Sequence, residues 1–202
     1  MITIGITGGT GAGKTSALRA LEALGALTLD CDAIYHELLV DNAELKSELG
    51  LRFDGVLQDG SIDRRHLGEI VFNDPDALDD LNTITRKYIG KTIADRIAKW
   101  ESQGGKVTAI DAIALIESGR AEKCDFVVGV TAPKDIRIAR IMNRDGITRK
   151  QAEMRINAQK PDSFYEENCD YMLKGVYSAP GEFEEECRKF FDKMIGGCLD
   201  AG

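Results

Sequence analysis

Gly8-Gly9-Thr10-Gly11-Ala12-Gly13-Lys14-Thr15 fits the pattern GxxxxGK[ST], in which each fixed position has a physical reason. Glycines let a backbone bend round an anion at angles that other residues avoid. Successive N–H groups then converge into a nest for that anion. A helix beginning near Lys14 aims its positive end at the same point. Lys14 supplies a charge between the β- and γ-phosphates of a nucleotide, and Thr15 supplies a hydroxyl to Mg²⁺. We therefore read Gly8, Gly9, Thr10, Gly11, Ala12, Gly13, Lys14, Thr15 and Ser16 as a site for the phosphates of ATP. The competing reading is a glycine-rich turn that binds nothing. The motif's position, directly between a strand and a helix, weighs against it.

Outward from the loop, Thr3 to Thr7 is a short β-branched run that predicts a buried strand. Lys14 to Leu24 predicts a helix with Ala17, Leu18, Leu21 and Leu24 on one face, stopped at Gly25. Ala26 to Leu29 predicts a second strand ending at Asp30, Val107 to Ile110 a third ending at Asp111, and Phe126 to Val130 a fourth. Tyr171 to Leu173 predicts a short last strand. Helices are expected over Ile34 to Leu49, Asp63 to Phe72, Asp76 to Trp100, Asp135 to Arg144, Thr148 to Lys160 and Gly181 to Ile195. The last of these turns Phe183, Cys187, Phe190, Phe191 and Met194 inward. Strands alternating with helices predict an α/β fold, a P-loop NTPase-like doubly wound parallel sheet. The helical stretch after Asp32 interrupts that alternation and is read as an inserted acceptor domain. The expected layout is one P-loop kinase domain over 1–202. Its core covers 1–32, 105–135 and 161–202, its helical acceptor region 33–104, and its helical lid 136–160.

The chain's 202 residues and 43% hydrophobic content allow one sizeable core. Its net charge of −8 repels a nucleic-acid backbone, so no nucleic-acid partner is expected. No apolar stretch approaches the roughly 20 residues of a membrane helix. The opening run Met1-Ile2-Thr3-Ile4-Gly5-Ile6 contains no basic leader, so no signal peptide is expected. A cytoplasmic monomer is expected. The cysteines, Cys31, Cys124, Cys169, Cys187 and Cys198, are odd in number and without CxxC spacing, and are read as reduced thiols.

Ligands of open α/β sheets sit beyond the carboxyl ends of the strands. Asp30 and Asp32 follow the second strand on alternate positions, so both can face one cleft. Asp32 is read as the base that accepts an acceptor hydroxyl's proton, with Asp30 as a supporting carboxylate or a partner of a magnesium-bound water. Capping of the following helix by Asp32 is the alternative. Asp111 is read as a magnesium ligand through water, and Glu117, six residues on, as an acceptor contact. A plain turn carboxylate is the alternative for each. Arg137, Arg140 and Arg144 share a helix face, followed by Arg149, Lys150 and Arg155. Arg140 and Arg144 are assigned to the phosphates, Arg140 with a catalytic share alongside Lys14, since arginines stabilise the charge spread in phosphoryl transfer. Pairing with Asp135, Asp145 and Glu153 is the bland alternative. Arg64 and Arg65 open a helix, where the dipole disfavours cations. They are read as binding an acceptor's anionic group, with surface charge as the alternative. His36 is read as an acceptor contact, not as a catalytic group.

The order of these motifs resembles the dephospho-coenzyme A kinase family. The resemblance is carried by Gly5 to Ser16, Leu24-Gly25, Leu29-Asp30-Cys31-Asp32-Ala33-Ile34-Tyr35-His36 and Asp59 to Gly68 with Val71-Phe72. Leu81 to Ile84, Ala132-Pro133, Arg140, Arg144-Asp145-Gly146 and Ala158-Gln159 add to it. It spans about residues 2 to 175. The resemblance implies ATP-dependent phosphorylation of the ribose 3′-hydroxyl of dephospho-CoA, with Asp32 as the catalytic aspartate and a lid near Arg140 to Arg144. It also implies a nucleotide core, a helical acceptor domain and a lid. The chain departs from the family at Arg86-Lys87 (usually His-Pro), at Ile113 to Glu117 (usually Pro-Leu-Leu-x-Glu) and at Lys174 (usually Asn). A divergent nucleoside or nucleotide kinase acting on another small hydroxyl acceptor is the second reading. A non-catalytic nucleotide switch is the third. No Asn/Thr-Lys-x-Asp motif of a guanine-reading switch is present.

Overall fold

The computed structural model describes residues 1–177, 179 and 181–199. Residues 178, 180 and 200–202, all within the expected core segment 161–202, lie outside the described residues. The chain forms two compact units, residues 1–29 with 100–202 and residues 30–99.

β1 (Ile2–Thr7) carries four consecutive buried residues, Ile4 to Thr7. A strand buried on both faces needs such a run rather than an alternating one. After the glycine loop, α1 (Lys14–Ala23) buries Ala17, Ala20 and Leu21, and Gly25 at φ 84° turns the chain into β2 (Leu27–Asp30). The second unit then runs α2 (Cys31–Asp41), α3 (Ala43–Arg52), β3 (Leu57–Gln58), β4 (Ser61–Ile62), α4 (Arg64–Asn73) and most of α5 (Pro75–Ser102). Its interior holds Ile34, Leu38, Leu45, Leu49, Phe53, Val56, Leu67 and Tyr88. The first unit resumes with β5 (Val107–Asp111), a 3₁₀ turn at Ala121–Lys123, β6 (Phe126–Thr131), α6 (Lys134–Asp145), α7 (Arg149–Asn157), α8 (Asp162–Asn168), β7 (Tyr171–Lys174) and α9 (Glu182–Leu199).

The main sheet has the order β2-β5-β1-β6-β7. β1 runs parallel to β5, with Ile6 opposite Asp111, and parallel to β6. β6 runs parallel to β7, with Thr131 opposite Lys174. Its principal core joins Ile4, Ile6, Val107, Ala109, Val128 and Val130 of the strands to Leu21 of α1 and to Phe183, Cys187 and Phe191 of α9. The inward face expected for the terminal helix is the one observed. The α6–α7 hairpin has a small core of its own, Ile138, Ile141, Ala152 and Ile156.

This is the mostly parallel, helix-covered sheet expected from the sequence, with three local corrections. The helix expected over Ile34 to Leu49 is two helices. Asn42 breaks it at φ −95°, ψ 103° and caps α3, its side chain accepting from Leu45 N at 2.7 Å. The helix expected over Thr148 to Lys160 stops at Asn157, with Thr148 as its cap in a reciprocal arrangement with Gln151. The hairpin β3–β4, turned on Asp59 (φ 48°) and Gly60 (φ 77°), and the short α8 were not anticipated. Among the described residues no helix is long and apolar enough to cross a membrane.

Candidate active site

Among the described residues, five helices begin with a side chain that accepts from their first amides: Asp30 for α2, Asn42 for α3, Asp63 for α4, Asp74 for α5 and Thr148 for α7. α6 and α8 have no such cap but carry an acidic residue in the first turn. α1 has neither. It is preceded by Gly13 at φ 115°, has no side-chain cap and carries no acidic residue in its first turn. A ten-residue helix in this state directs its amides and the positive end of its dipole at whatever anion the loop encloses. The loop is tightly built. Gly8 sits at φ 135°, and a Cβ there would lie 2.1 Å from the carbonyl oxygen of Val130. Gly175, after β7, comes so close that its Cβ would lie 2.1 Å from Ala12 O. The Lys14 ammonium folds back across the loop and donates to Gly8 O at 2.9 Å. Thr15 is exposed on the first turn of α1, and Ser16 N donates to Gly13 O at 3.0 Å.

α6 sends three arginines toward this loop, Arg137 and Arg144 to Thr10 and Arg140 to Gly11 and Ala12. Arg140 donates to three backbone carbonyls, Gly11 O at 3.0 Å, Ala12 O at 3.2 Å and Gly175 O at 2.8 Å. Its guanidinium also lies 4.3 Å from the ring centre of Tyr177, which stacks on Phe183. Arg144 is exposed and forks onto Asp145 at 2.7 and 3.0 Å, with Thr10 Oγ1 at 3.5 Å. Asp145, with Arg155 as a second partner, is held below the usual carboxylate range by these hydrogen bonds. Arg149 pairs with Asp135 and Glu153. The bland reading of the charge stripe therefore describes Arg149 and Arg155, and also Arg144 in its pair with Asp145. Arg137 is buried and bonds the loop at Thr10.

Asp111 ends β5, half-buried, beside the last turn of β1 into the loop. Glu117 is exposed in the turn that follows. The other predicted residues belong to the second unit. Asp30, not Asp32, caps α2: its Oδ1 accepts from Asp32 N at 2.8 Å and Ala33 N at 3.0 Å. That leaves the Asp32 side chain exposed on the first turn. The reason is that helical geometry begins earlier than the sequence suggested, at Cys31 rather than Ile34. His36 is exposed, one turn on, beside Tyr35. Burial pushes the Tyr35 phenol up, with the Arg64 charge acting in the opposite direction, so Arg64 is felt at α2. Arg65 pairs with Glu69 at 3.1 Å.

The family model described as dephospho-CoA kinase matches residues 2–178. This chain belongs to the dephospho-CoA kinase family. A dephospho-CoA kinase of Dehalococcoides mccartyi is 38% identical over 165 residues, 81% of this chain and 83% of that one. Another, of Corynebacterium jeikeium, is 37% identical over 160 residues, 79% and 82% of the two chains. Among solved structures, the dephospho-CoA kinase of Campylobacter jejuni superposes with a TM-score of 0.69 at 26% identity, covering 96% of this chain and 98% of that one. The chain is accordingly a kinase, a phosphotransferase with an alcohol acceptor.

Within this dephospho-CoA kinase family member, two residues that touch the loop were outside the predicted site. Gln159 accepts from Thr10 N at 2.8 Å, and Arg137 donates to Thr10 O at 2.9 Å. The apolar-periodic surroundings of Arg137 on α6 carried a signal, since a buried arginine needs partners. For Gln159 no local pattern does. Of the departures from the family's usual sequence, Lys87 is bound to Glu48 at 3.0 Å within the second unit, and Lys174 is exposed at the end of β7. None of the cysteines is in a disulfide. Burial pushes Cys124 and Cys169 up to about 11 and Cys187 to about 12, so these three stay as unreactive thiols.

Proposed function

We propose that this protein transfers the γ-phosphate of ATP to the ribose 3′-hydroxyl of dephospho-CoA, releasing ADP and CoA. The observation that carries this reading is the uncapped start of α1 behind a glycine loop, in a chain that matches the family over residues 2–178. The loop amides and Lys14 hold the polyphosphate. As the acceptor oxygen bonds to the γ-phosphorus, the bond to the β-phosphate oxygen breaks and the hydroxyl proton passes to Asp32. Two facts support Asp32 in that role: its carboxylate is exposed, and Asp30 has taken over the capping. Arg140 and Arg144 contribute positive charge at the phosphates. Arg140 already stands with its charge against the loop carbonyls, where it weakens the loop's repulsion of an anion.

Thr15 and Asp111 offer hard oxygen donors on the first turn of α1 and at the end of β5. That donor set fits Mg²⁺, which is held by few protein oxygens and completed by waters and phosphate. When bound, the ion neutralises charge on the phosphate oxygens. We assign His36, Arg64, Arg65 and Glu117 to the acceptor, residues 33–104 to an acceptor region and residues 136–160 to a lid. A cytoplasmic monomer fits a chain whose five cysteines form no disulfide.

The test is ATP turnover with a panel of acceptors, the product being located by mass spectrometry and phosphorus NMR. Dephospho-CoA should stimulate turnover and become CoA. Stimulation by nucleosides or nucleotides alone, or by no acceptor, would overturn the proposal.

A further inference from the structure

Thr10 stands in the middle of the phosphate loop, and both of its backbone groups are held by side chains far along the chain. Its N–H donates to Gln159 Oε1 at 2.8 Å. Its C=O accepts from Arg137 Nε at 2.9 Å. The two side chains are joined to each other, Arg137 Nη2 donating to the same Gln159 oxygen at 3.1 Å. These three bonds form a closed ring around a single residue. Arg137 Nη1 extends it to Asp162 at 3.2 Å.

Arg137 is 4% exposed, and a buried guanidinium is tolerated only when its donors are used. Its neighbours on the buried side of α6, Ile138 and Ile141, show that apolar side chains fill this region readily. What an apolar residue cannot do is fix the direction of a peptide group. The peptide plane is rigid and trans, so the C=O of Thr10 and the N–H of Gly11 point in opposite directions. Holding that carbonyl on Arg137 turns the Gly11 amide the other way. Arg140 acts on the Ala12 carbonyl in the same manner, which turns the Gly13 amide. Gly9 carries no side chain at the point where the guanidinium rests. A Cβ there would lie 2.1 Å from Arg137 Nη2. Gly9 is a variable position of the loop motif, and its φ lies outside the range that favours glycine. The close approach of Arg137 therefore accounts for glycine at this position.

We propose that Arg137 and Gln159 are positioning residues for phosphoryl transfer: together they clamp Thr10 and orient the loop amides before nucleotide arrives. The clamp rests on the reading of the loop as a phosphate site. It ties that loop to α6 and to the segment just after α7, so those elements and the loop's amide directions are set together.

The test compares Gln159→Leu, Gln159→Glu and Arg137→Met. Leucine removes the acceptor, whereas glutamate keeps an oxygen for Thr10 N–H and pairs with Arg137. Methionine keeps the buried stem of Arg137 and leaves Asp162, whose side chain is 41% exposed, to solvent. Amide hydrogen exchange is read by NMR on the ligand-free protein, and ATP affinity by calorimetry. Gln159→Leu and Arg137→Met should speed exchange at Thr10 and weaken ATP binding by about tenfold or more, the size of one lost hydrogen bond. Gln159→Glu should stay within about threefold of the parent. Unchanged exchange and affinity in Gln159→Leu would overturn the clamp, as would a Gln159→Glu that falls as far as leucine. If the parent bound no ATP but Gln159→Leu still lost its Thr10 protection, the nucleotide reading would fail and the clamp would stand.

Discussion

At the start of α2 the amides of Asp32 and Ala33 are satisfied by Asp30, two and three residues away. Asn42, Asp63 and Asp74 serve their own helices over the same short distance. In the phosphate loop, the Thr10 amide finds Gln159, 149 residues on, and the Gly11 carbonyl finds Arg140, 129 residues on. The helix starts of the helical unit are finished locally. In the nucleotide unit, Thr10 and the carbonyls of Gly11 and Ala12 are held through the tertiary fold, and the start of α1 has no side-chain cap. A locally capped helix has its first amides used up. A loop held from outside keeps amides aimed inward for a ligand. Polar changes in the loop should therefore cost binding and turnover, and changes at the caps should cost stability.

The most severe test of that division is Lys14→Met. Its ammonium bridges the loop at Gly8 O and is the charge assigned to the phosphates. Turnover should fall by about a hundredfold or more, as when a preorganised transition-state donor is removed. The melting temperature should change little. A coupled ADP-release assay beside a thermal melt checks both. A variant that melts well below the parent but keeps its turnover would reverse the comparison.

A finer test uses two aspartates on one turn of helix. Asp32→Asn should lower kcat by about a hundredfold, the lower range for a lost general base, with ATP affinity kept. Asp30→Ala should cost about 1 kcal/mol of stability, the usual loss for a cap, and lower the melting temperature by about 2–4 °C. Equal kcat losses in the two variants would mean that Asp30 does more than cap. An Asp32→Asn variant within about tenfold of the parent, 1.4 kcal/mol of barrier, would remove Asp32 from the chemistry.

The same division explains what could be read from the chain. β1, α1 and the loop are written in contiguous residues, and so are the buried faces of α1 and α9. The aspartate before a helix is also a local signal, although assigning the cap to Asp30 rather than Asp32 needed the observed start at Cys31. The break at Asn42 was hidden because apolar spacing continues across it, through Leu38, Leu39, Leu45 and Leu49. The ring around Thr10 was not legible. Gln159 has no periodic or spacing cue, and Arg137 stood on a cationic helix face with the functional and solvated readings both open, its apolar surroundings the one sign of burial. The distances between those positions are set by how α6 and α7 pack on the sheet, and no short window of sequence contains that information.

The smallest effect expected lies in the helical unit and concerns a pair that is not local. Glu48 accepts from Tyr88 Oη at 2.6 Å and from Lys87 Nζ at 3.0 Å, joining α3 to α5. The Tyr88 hydrogen bond first, and then that from Lys87, hold the Glu48 carboxyl below its usual range. A carboxyl lowered by folding contributes stability above its unfolded value and loses it as pH falls through the folded value. Tyr88→Phe removes the larger cause while keeping the buried ring. At neutral pH the variant should melt about 1–3 °C below the parent, and the difference should close in acid, once Glu48 is protonated in both proteins. ATP affinity should not move at any pH. A difference that persists unchanged into acid would place the role of Tyr88 in its packing rather than in the Glu48 bond. A change in ATP affinity would mean that contacts inside the helical unit reach the nucleotide, and the two units could no longer be treated as separable in their effects.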